Sequence, residues 1–460
     1  MERTFDAVIV GAGQAGPSLA GRLTGAGWKV ALVEKELLGG TCVNTGCTPT
    51  KAMVASAKAA HMARHGKEYG VVGADAVQVD MKSVKARKDA IVAKSRGGLE
   101  GWIRGMEGCT LIYGRARFEA AHRLRVGDDT LVAKNVFLNV GARPRVPAFP
   151  GVDRVPFLTS STILELDTLP EHLVVVGGSY VGLEFAQMFR RFGSQVTVVE
   201  RDPTLLKHED DDVCKAVLEA LADEGIAFRL NSECISLEAD AEGVVVHVSC
   251  KDDVPEVRGS HVLLAVGRQP NTDDLGLENA GLAADRDGYI EVDDQLRTRV
   301  EGIWALGDCN GHGGFTHTSY NDFEIAAANL LDNDPRRVTD RIPAHALFID
   351  PPLAQVGMNE REVRKKGVSA LMGIRPMTKV GRAIEKGETR GFMKVLVDAA
   401  TQHILGATIF GVGGDEAIHC VLTAMYARQP ASLLARSVHI HPTVAELIPT
   451  VFQQMKPLQP

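Results

Sequence analysis

The sequence predicts an α/β fold in which two doubly wound dinucleotide-binding units precede a separate C-terminal α+β domain. Three observations carry this expectation. A glycine fingerprint, Gly11-Ala12-Gly13-Gln14-Ala15-Gly16, stands between an apolar strand and a helix near the N-terminus. A second recurs at Gly177-Gly178-Ser179-Tyr180-Val181-Gly182. From Ile342 onward, strands and helices continue without a fingerprint.

The 460 residues allow two to four domains. Hydrophobic residues make up 45%, charged residues 24%, and the formal net charge is −7. That balance describes a mildly acidic globular chain and argues against a nucleic-acid or anionic-membrane surface. The apolar Ala7–Val10 run is only strand-length and no basic segment precedes it, so a cytoplasmic protein without a signal peptide or membrane span is expected. Eight cysteines without regular spacing do not form a secreted disulfide framework. Outside Cys42 and Cys47, each is expected to be a small buried residue.

In the first unit, Phe5–Val10 reads as a buried strand, a helix follows to about Gly25, and Lys29–Glu34 is the next strand. Gly11, Gly13 and Gly16 permit the turn and the close approach of a pyrophosphate to the helix N-terminus. Glu34 can accept from a ribose hydroxyl, which completes a Rossmann-like context.

Next comes Gly39-Gly40-Thr41-Cys42-Val43-Asn44-Thr45-Gly46-Cys47-Thr48-Pro49-Thr50-Lys51. Asn44 and Gly46 permit the tight turn that two cysteines four residues apart would need to pair. Pro49 suits the first turn of a helix running to about Arg64, whose N-terminal dipole favours a thiolate near Cys47. The pair reads as a redox dithiol; a zinc half-site and two unrelated buried thiols are the alternatives.

Lys51 to Gly101 is helical in pattern with a break around 66–80, and Arg115 to Val140 alternates like antiparallel strands. Gly141 and the prolines after it mark a boundary around 144–151. In the second unit, Ser179 replaces the middle glycine between Gly177 and Gly182, and the strand Gln195–Glu200 ends in an acid. Two such units imply two nucleotides. The Glu200 carboxylate repels a 2′-phosphate and favours NADH over NADPH, with Arg201 as a partial offset. Ala265–Thr272 reads as a second crossing between domains. Asp308, ending the strand Gly302–Asp308, either meets a ribityl hydroxyl or phosphate or caps a helix. A helix is expected at Phe323–Leu331, strands at Phe392–Val397 and Ile404–Phe410, and a helix at about Asp415–Ala427.

Taken together, the residues resemble the pyridine nucleotide–disulfide oxidoreductases of the dihydrolipoamide dehydrogenase, glutathione reductase and mercuric reductase type. Four motifs in order carry the resemblance across nearly the whole chain: Gly-Gly-Thr-Cys42-x4-Cys47-x3-Lys51, Gly267-Arg268-x-Pro-Asn, Gly307-Asp308 and His441-Pro442-x3-Glu446. The resemblance implies an FAD-binding domain from 1–150 and 272–340, an NAD(P)H-binding domain at 151–271 and a dimerisation domain at 341–460. It further implies that Cys47 lies against the flavin and that Cys42 meets substrate. Gly40, Thr41, Glu34, Gly141, Gly267, Arg268 and Asp308 fall among the cofactor contacts. Lys51 resembles the lysine beside the flavin, Glu184 its ion-pair partner and Tyr180 an aromatic gate. His441, held by Glu446, resembles an acid–base acting on the interchange thiol of the other subunit in a homodimer. His439 is read as structural.

The implied reaction moves electrons from NADH or NADPH through FAD to the dithiol and on to a small disulfide. Disulfide exchange needs a thiolate attacker and a protonated leaving group, which an imidazole poised near neutral pH can serve. A carboxylate fixes its tautomer. The alternative substrate is a thiol-reactive metal ion, Hg(II) or Cu(II). The tail Met455–Pro460 has no cysteine pair and no N-terminal metal-binding domain is seen, against a dedicated mercury role. By contrast, Phe315–Phe323 and Pro351-Pro352-Leu353 look closer to mercuric-reductase-like and copper-reducing members. A redox-sensing flavoprotein without turnover is the third reading, opposed by the intact Cys42, Cys47, His441 and Glu446. No resident metal is expected.

Overall fold

Runs of Val, Ile, Leu and Ala with both faces covered generate the first sheet. In the computed structural model, which describes residues 1–73, 77–241, 243–249 and 255–459, its order is Cys109–Tyr113, Val30–Glu34, Glu2–Val10, Asp129–Leu138, Arg123–Val126, Ala116–Ala120. Ile303–Ala305 adds in parallel to Asp129–Leu138. Val10 stands level with Val33 and Leu138, and Leu138 with Ala305. The carboxyl ends of the parallel strands therefore share one edge, where doubly wound sheets open a ligand crevice.

The antiparallel strands expected within residues 115–140 are present, Ala116–Ala120 pairing with Arg123–Val126 and that strand with Asp129–Leu138, but the last has a second role. Asp129–Leu138 is antiparallel to Arg123–Val126 on one side, but it lies parallel to Glu2–Val10 on the other. Its end, Val136-Phe137-Leu138, is fully buried, as a central parallel strand requires.

The second sheet is all-parallel: Ala227–Arg229, Gln195–Val199, His172–Val176, His261–Leu264, Leu158–Thr159. Ala142–Pro144 pairs with Arg268–Pro270, so the chain leaves and re-enters the first unit through one two-stranded ribbon.

The helix expected from Phe323 begins earlier, spanning Thr316–Ala327. The Thr318 hydroxyl accepts from Phe315 N at 3.2 Å and donates to Phe315 O at 2.7 Å, closing a polar first turn that the apolar spacing conceals. Beyond it lies an antiparallel sheet: Ala344–Leu347, Leu353–Gly357, Ile404–Phe410, Phe392–Asp398, Ala370–Pro376, Lys456–Pro457. The helix Gly414–Tyr426 packs on it.

Buried charges weld this C-terminal sheet to the second unit. Lys394, 1% exposed, donates to Asp210 and Asp212 at 2.8 Å. Arg191 pairs with Asp350 at 2.7 Å and Glu224 at 2.8 Å. Among the remaining cysteines, Cys214 and Cys309 are buried, while Cys109 and Cys420 are only half-buried. Cys250 and the side chain of Cys234 lie outside the described residues. Among the described residues, no helix is long and apolar enough to cross a membrane.

Candidate active site

A cavity of about 1190 Å³ opens along the shared strand edge. Gly11, Gly13, Glu34, Gly40, Thr41 and Gly141 line one end. Gly11 has φ +106°, and a Cβ there would sit 2.2 Å from Asn139 O; one on Gly16 would sit 2.1 Å from Gly11 O. The turn therefore admits only glycine at both places. At Gly13 a Cβ would meet only the Asn139 amide, at 3.4 Å, leaving the cradle open. The helix Gly16–Gly25 starts without a side-chain cap, so its first N–H groups can serve an anion. Glu34 takes N–H donors from Ala12 and Glu36, each at 2.9 Å, and stays fixed at the strand end.

The second unit repeats this device. A Cβ on Gly177 would lie 2.4 Å from Ala265 O, and one on Gly182 2.0 Å from Gly177 O. Ser179 precedes the helix Tyr180–Phe192 but its side chain makes no cap. Glu200 accepts from Gly178 N at 2.5 Å and Asp202 N at 2.9 Å. Open glycine cradles, uncapped helix starts and anchored acids at both places fit two dinucleotides. Gly16, Gly177, Ser179, Gly182, Glu200 and Gly267 shape these turns without lining the cavity.

Cys42 lies on the short helix Gly40–Asn44, and Cys47 begins the helix Cys47–Arg64. Asn44 ties the intervening turn by donating to Leu38 O and Gly40 O, both at 2.9 Å. Cys47 Sγ is 3.2 Å from Thr316 Oγ1. The Cys42 thiol, hydrogen-bonded to Cys47, draws the Cys47 pKa down to about 6, and Thr316 and the Lys51 charge act the same way. The same hydrogen bond, together with burial, pushes Cys42 up. One sulfur is thus poised as thiolate and the other as its donor, unlike two unrelated buried thiols. Among the described residues, no three His, Cys, Asp or Glu side chains converge as a metal site.

Lys51 Nζ donates to Glu184 Oε2 at 2.7 Å, joining the dithiol helix to the helix of the second fingerprint. The buried Glu184 also accepts from Phe348 N at 3.0 Å. Asp308 sits in a short 3₁₀ turn, Gly307–Asn310, and lines the cavity. The Gly307 N–H before it is taken by Asp322 at 2.7 Å. Burial pushes the Asp308 carboxyl up, and Arg268, 3.6 Å away, opposes that.

His441 Nδ1 lies 2.8 Å from Glu446 Oε2, as the motif suggests. The imidazole is 79% exposed, however, and neither residue lines the cavity. Within one chain the structure does not bring this pair to the dithiol. Val438 and Ile440 beside it are exposed as well, and His439 is tied to Ala445 O at 2.7 Å.

Sequence reasoning missed Thr316, Glu209 and His345. The Tyr180 hydroxyl donates to Glu209, and His345 Nε2 lies 2.8 Å from the same carboxylate. No local motif marks Glu209 or His345, and the Phe315–Phe323 stretch that contains Thr316 carries no sign of a contact with Cys47; distant segments supply all three.

Residues 5–327 match the sequence profile described as pyridine nucleotide-disulphide oxidoreductase, and 343–452 match its dimerisation domain. The probable pyridine nucleotide-disulfide oxidoreductase RclA of Escherichia coli is 35% identical, over 98% of this chain and 99% of that protein. A mercuric reductase of Streptomyces lividans is 32% identical, over 96% and 94%. The solved Cu(II) complex of the HOCl-induced flavoprotein disulfide reductase RclA superposes with a TM-score of 0.90 at 34% identity, covering 98% and 99%. The chain therefore belongs to the pyridine nucleotide-disulphide oxidoreductase family, whose flavoprotein members use FAD and NAD(P)H.

Proposed function

We propose that this protein is a cytoplasmic homodimer that spends NADH, in preference to NADPH, on reducing a small disulfide. The observation that carries the reading is the Cys42–Cys47 dithiol at the start of the helix Cys47–Arg64, with Cys47 Sγ 3.2 Å from Thr316 Oγ1, in the cavity that the Lys51–Glu184 pair links to the second fingerprint. The domain limits follow as 1–150 and 272–340 for FAD, 151–271 for the nicotinamide nucleotide and 341–460 for dimerisation.

The first glycine turn, Glu34 and Asp308 would hold FAD, which when bound supplies passage of a hydride's two electrons to the dithiol. The second turn and Glu200 would hold the nicotinamide nucleotide, with Tyr180 across its approach. The chain's own residues then perform the exchange. Cys42, protonated at rest, gives its proton to His441 of a second copy and attacks one sulfur of the substrate. A Cys42–substrate disulfide forms, and the departing thiolate takes the proton back from His441. The Cys47 thiolate next attacks Cys42, closing Cys42–Cys47 and releasing the second substrate thiolate. Glu446 keeps the His441 tautomer and steadies its cation.

A second reading, reduction of Hg(II) or Cu(II), has support in the Cu(II) complex and the mercuric reductase among the relatives. The deciding experiment follows NADH and NADPH oxidation with lipoamide, glutathione disulfide, other low-mass disulfides, Hg(II) and Cu(II). Turnover with a disulfide that disappears in Cys42→Ser is expected. Metal-dependent turnover alone would select the second reading, and none with any acceptor would favour a sensor.

A further inference from the structure

Tyr180 opens the helix behind the second glycine turn, one turn before Glu184. A nucleotide whose pyrophosphate sits at that helix start must carry its nicotinamide past the Tyr180 side chain to reach Lys51. The ring is boxed edge-on by His345, centroids 5.4 Å apart, and by Phe315 at 6.5 Å. Its hydroxyl donates to Glu209, a residue with only 2% of its side chain exposed. Oε1 of that carboxylate serves both Tyr180 and His345, while Oε2 is buried with no hydrogen-bond partner among the described residues.

The segment carrying Glu209 cannot follow the tyrosine. On one side Leu206 N donates to Gly178 O at 3.1 Å. On the other, Asn359 Nδ2 donates to His208 O at 2.8 Å. Asp210 accepts from the N–H groups of Glu360 and Arg361 at 3.0 Å each and from the buried Lys394 at 2.8 Å. The acceptor is clamped between the second unit and the C-terminal sheet, and only the Tyr180 side chain is free to turn.

We propose that Glu209 is a positioning residue: a fixed latch that holds Tyr180 across the nicotinamide path and thereby sets the affinity for NAD(P)H. The inference rests on the assignment of the second nucleotide site made above. Turning Tyr180 away removes a charge-assisted donor from a carboxylate that is only 2% exposed and already has one oxygen unsatisfied. The nucleotide-competent arrangement is then a minor one, and the apparent Kd is raised by the inverse of its population.

The test is calorimetric titration of the FAD-loaded homodimer with NAD⁺ and NADP⁺. Tyr180→Phe keeps the ring and its packing but deletes the hydroxyl, so NAD⁺ should bind roughly tenfold tighter, the weight of one such hydrogen bond. Glu209→Gln keeps shape and leaves a neutral acceptor, so a smaller tightening, about threefold, is expected. Because both changes remove one interaction, the double variant should bind no tighter than Tyr180→Phe alone. Structural damage would weaken binding, not strengthen it, and FAD content checks folding of each variant. Unchanged or weaker binding in both variants, with normal binding by the wild type, overturns the latch alone. A wild type that binds neither nucleotide overturns the latch together with the site assignment.

Discussion

Replacing Thr316 with valine keeps the shape of the side chain but removes the hydroxyl 3.2 Å from Cys47 Sγ. That hydroxyl is one of three groups lowering the Cys47 pKa to about 6, after the Cys42 thiol and ahead of the Lys51 charge. A hydrogen bond to an ionised acceptor contributes about 1.5–3 kcal/mol when dry. Cys47 borders an open cavity, so screening cuts this to about 0.5–1.4 kcal/mol, or roughly 0.4–1 pH unit. The sign is fixed by the thiolate being the bonded form: loss of the donor moves the titration upward. The wild-type thiolate is present above a pH of about 6 and disappears as the pH falls through that value. In Thr316→Val it should begin to disappear nearer neutrality. The assay is the rate of iodoacetamide alkylation of the reduced protein across the acid-to-neutral range, with the labelled peptide identified by mass spectrometry. A midpoint unmoved or lowered in Thr316→Val would mean that the hydroxyl accepts from Cys47 and that the thiolate owes its stability to Cys42 and Lys51 alone.

Two further outcomes concern nucleotide choice and assembly. Wild-type protein should prefer NADH, and Glu200→Ala should narrow that preference by about 1–3 kcal/mol in kcat/KM while also weakening NADH binding, because Gly178 N loses its acceptor at 2.5 Å; a wild-type preference for NADPH would pass control to Arg201. Mixing Cys47→Ser with His441→Ala subunits under exchange conditions should restore about half of wild-type activity per dimer, since one site of each heterodimer is intact. Heterodimers no more active than the parents would assign His441 to its own chain.

What was legible in the sequence was whatever repeats a local rule. Both glycine turns, both terminal acids and the Cys42–Cys47 turn announce themselves within a few residues, because each obeys a short-range steric or capping constraint. Asp308 was legible only as a candidate, since a carboxylate at a strand end suits a cofactor contact and a cap equally well. The start of the helix at Thr316 was hidden by the polar run Thr316-His317-Thr318-Ser319, which has no apolar spacing before Phe323. Thr316, Glu209 and His345 reach the site from three separate segments. Their positions follow from the docking of domains, which no window of sequence contains.

Glu184 is a joint between parts of the chain. Its carboxylate is shared by Lys51 of the dithiol helix and by the Phe348 N–H of the C-terminal region. Arg191 and Asp210 likewise find partners in Asp350 and Lys394. The C-terminal region is therefore not a detachable accessory. Cutting the chain before it would strip Glu184 of the Phe348 N–H and Arg191 and Asp210 of one ion-pair partner each, and would expose the apolar surface that Leu347, Ile349, Leu353 and Phe410 cover. A shortened chain would not be a minimal nucleotide-oxidising core but a destabilised fragment. A monomer is better sought by polar replacement of Val438 and Ile440, which stand 99% and 79% exposed beside His441 and take no part in these joints.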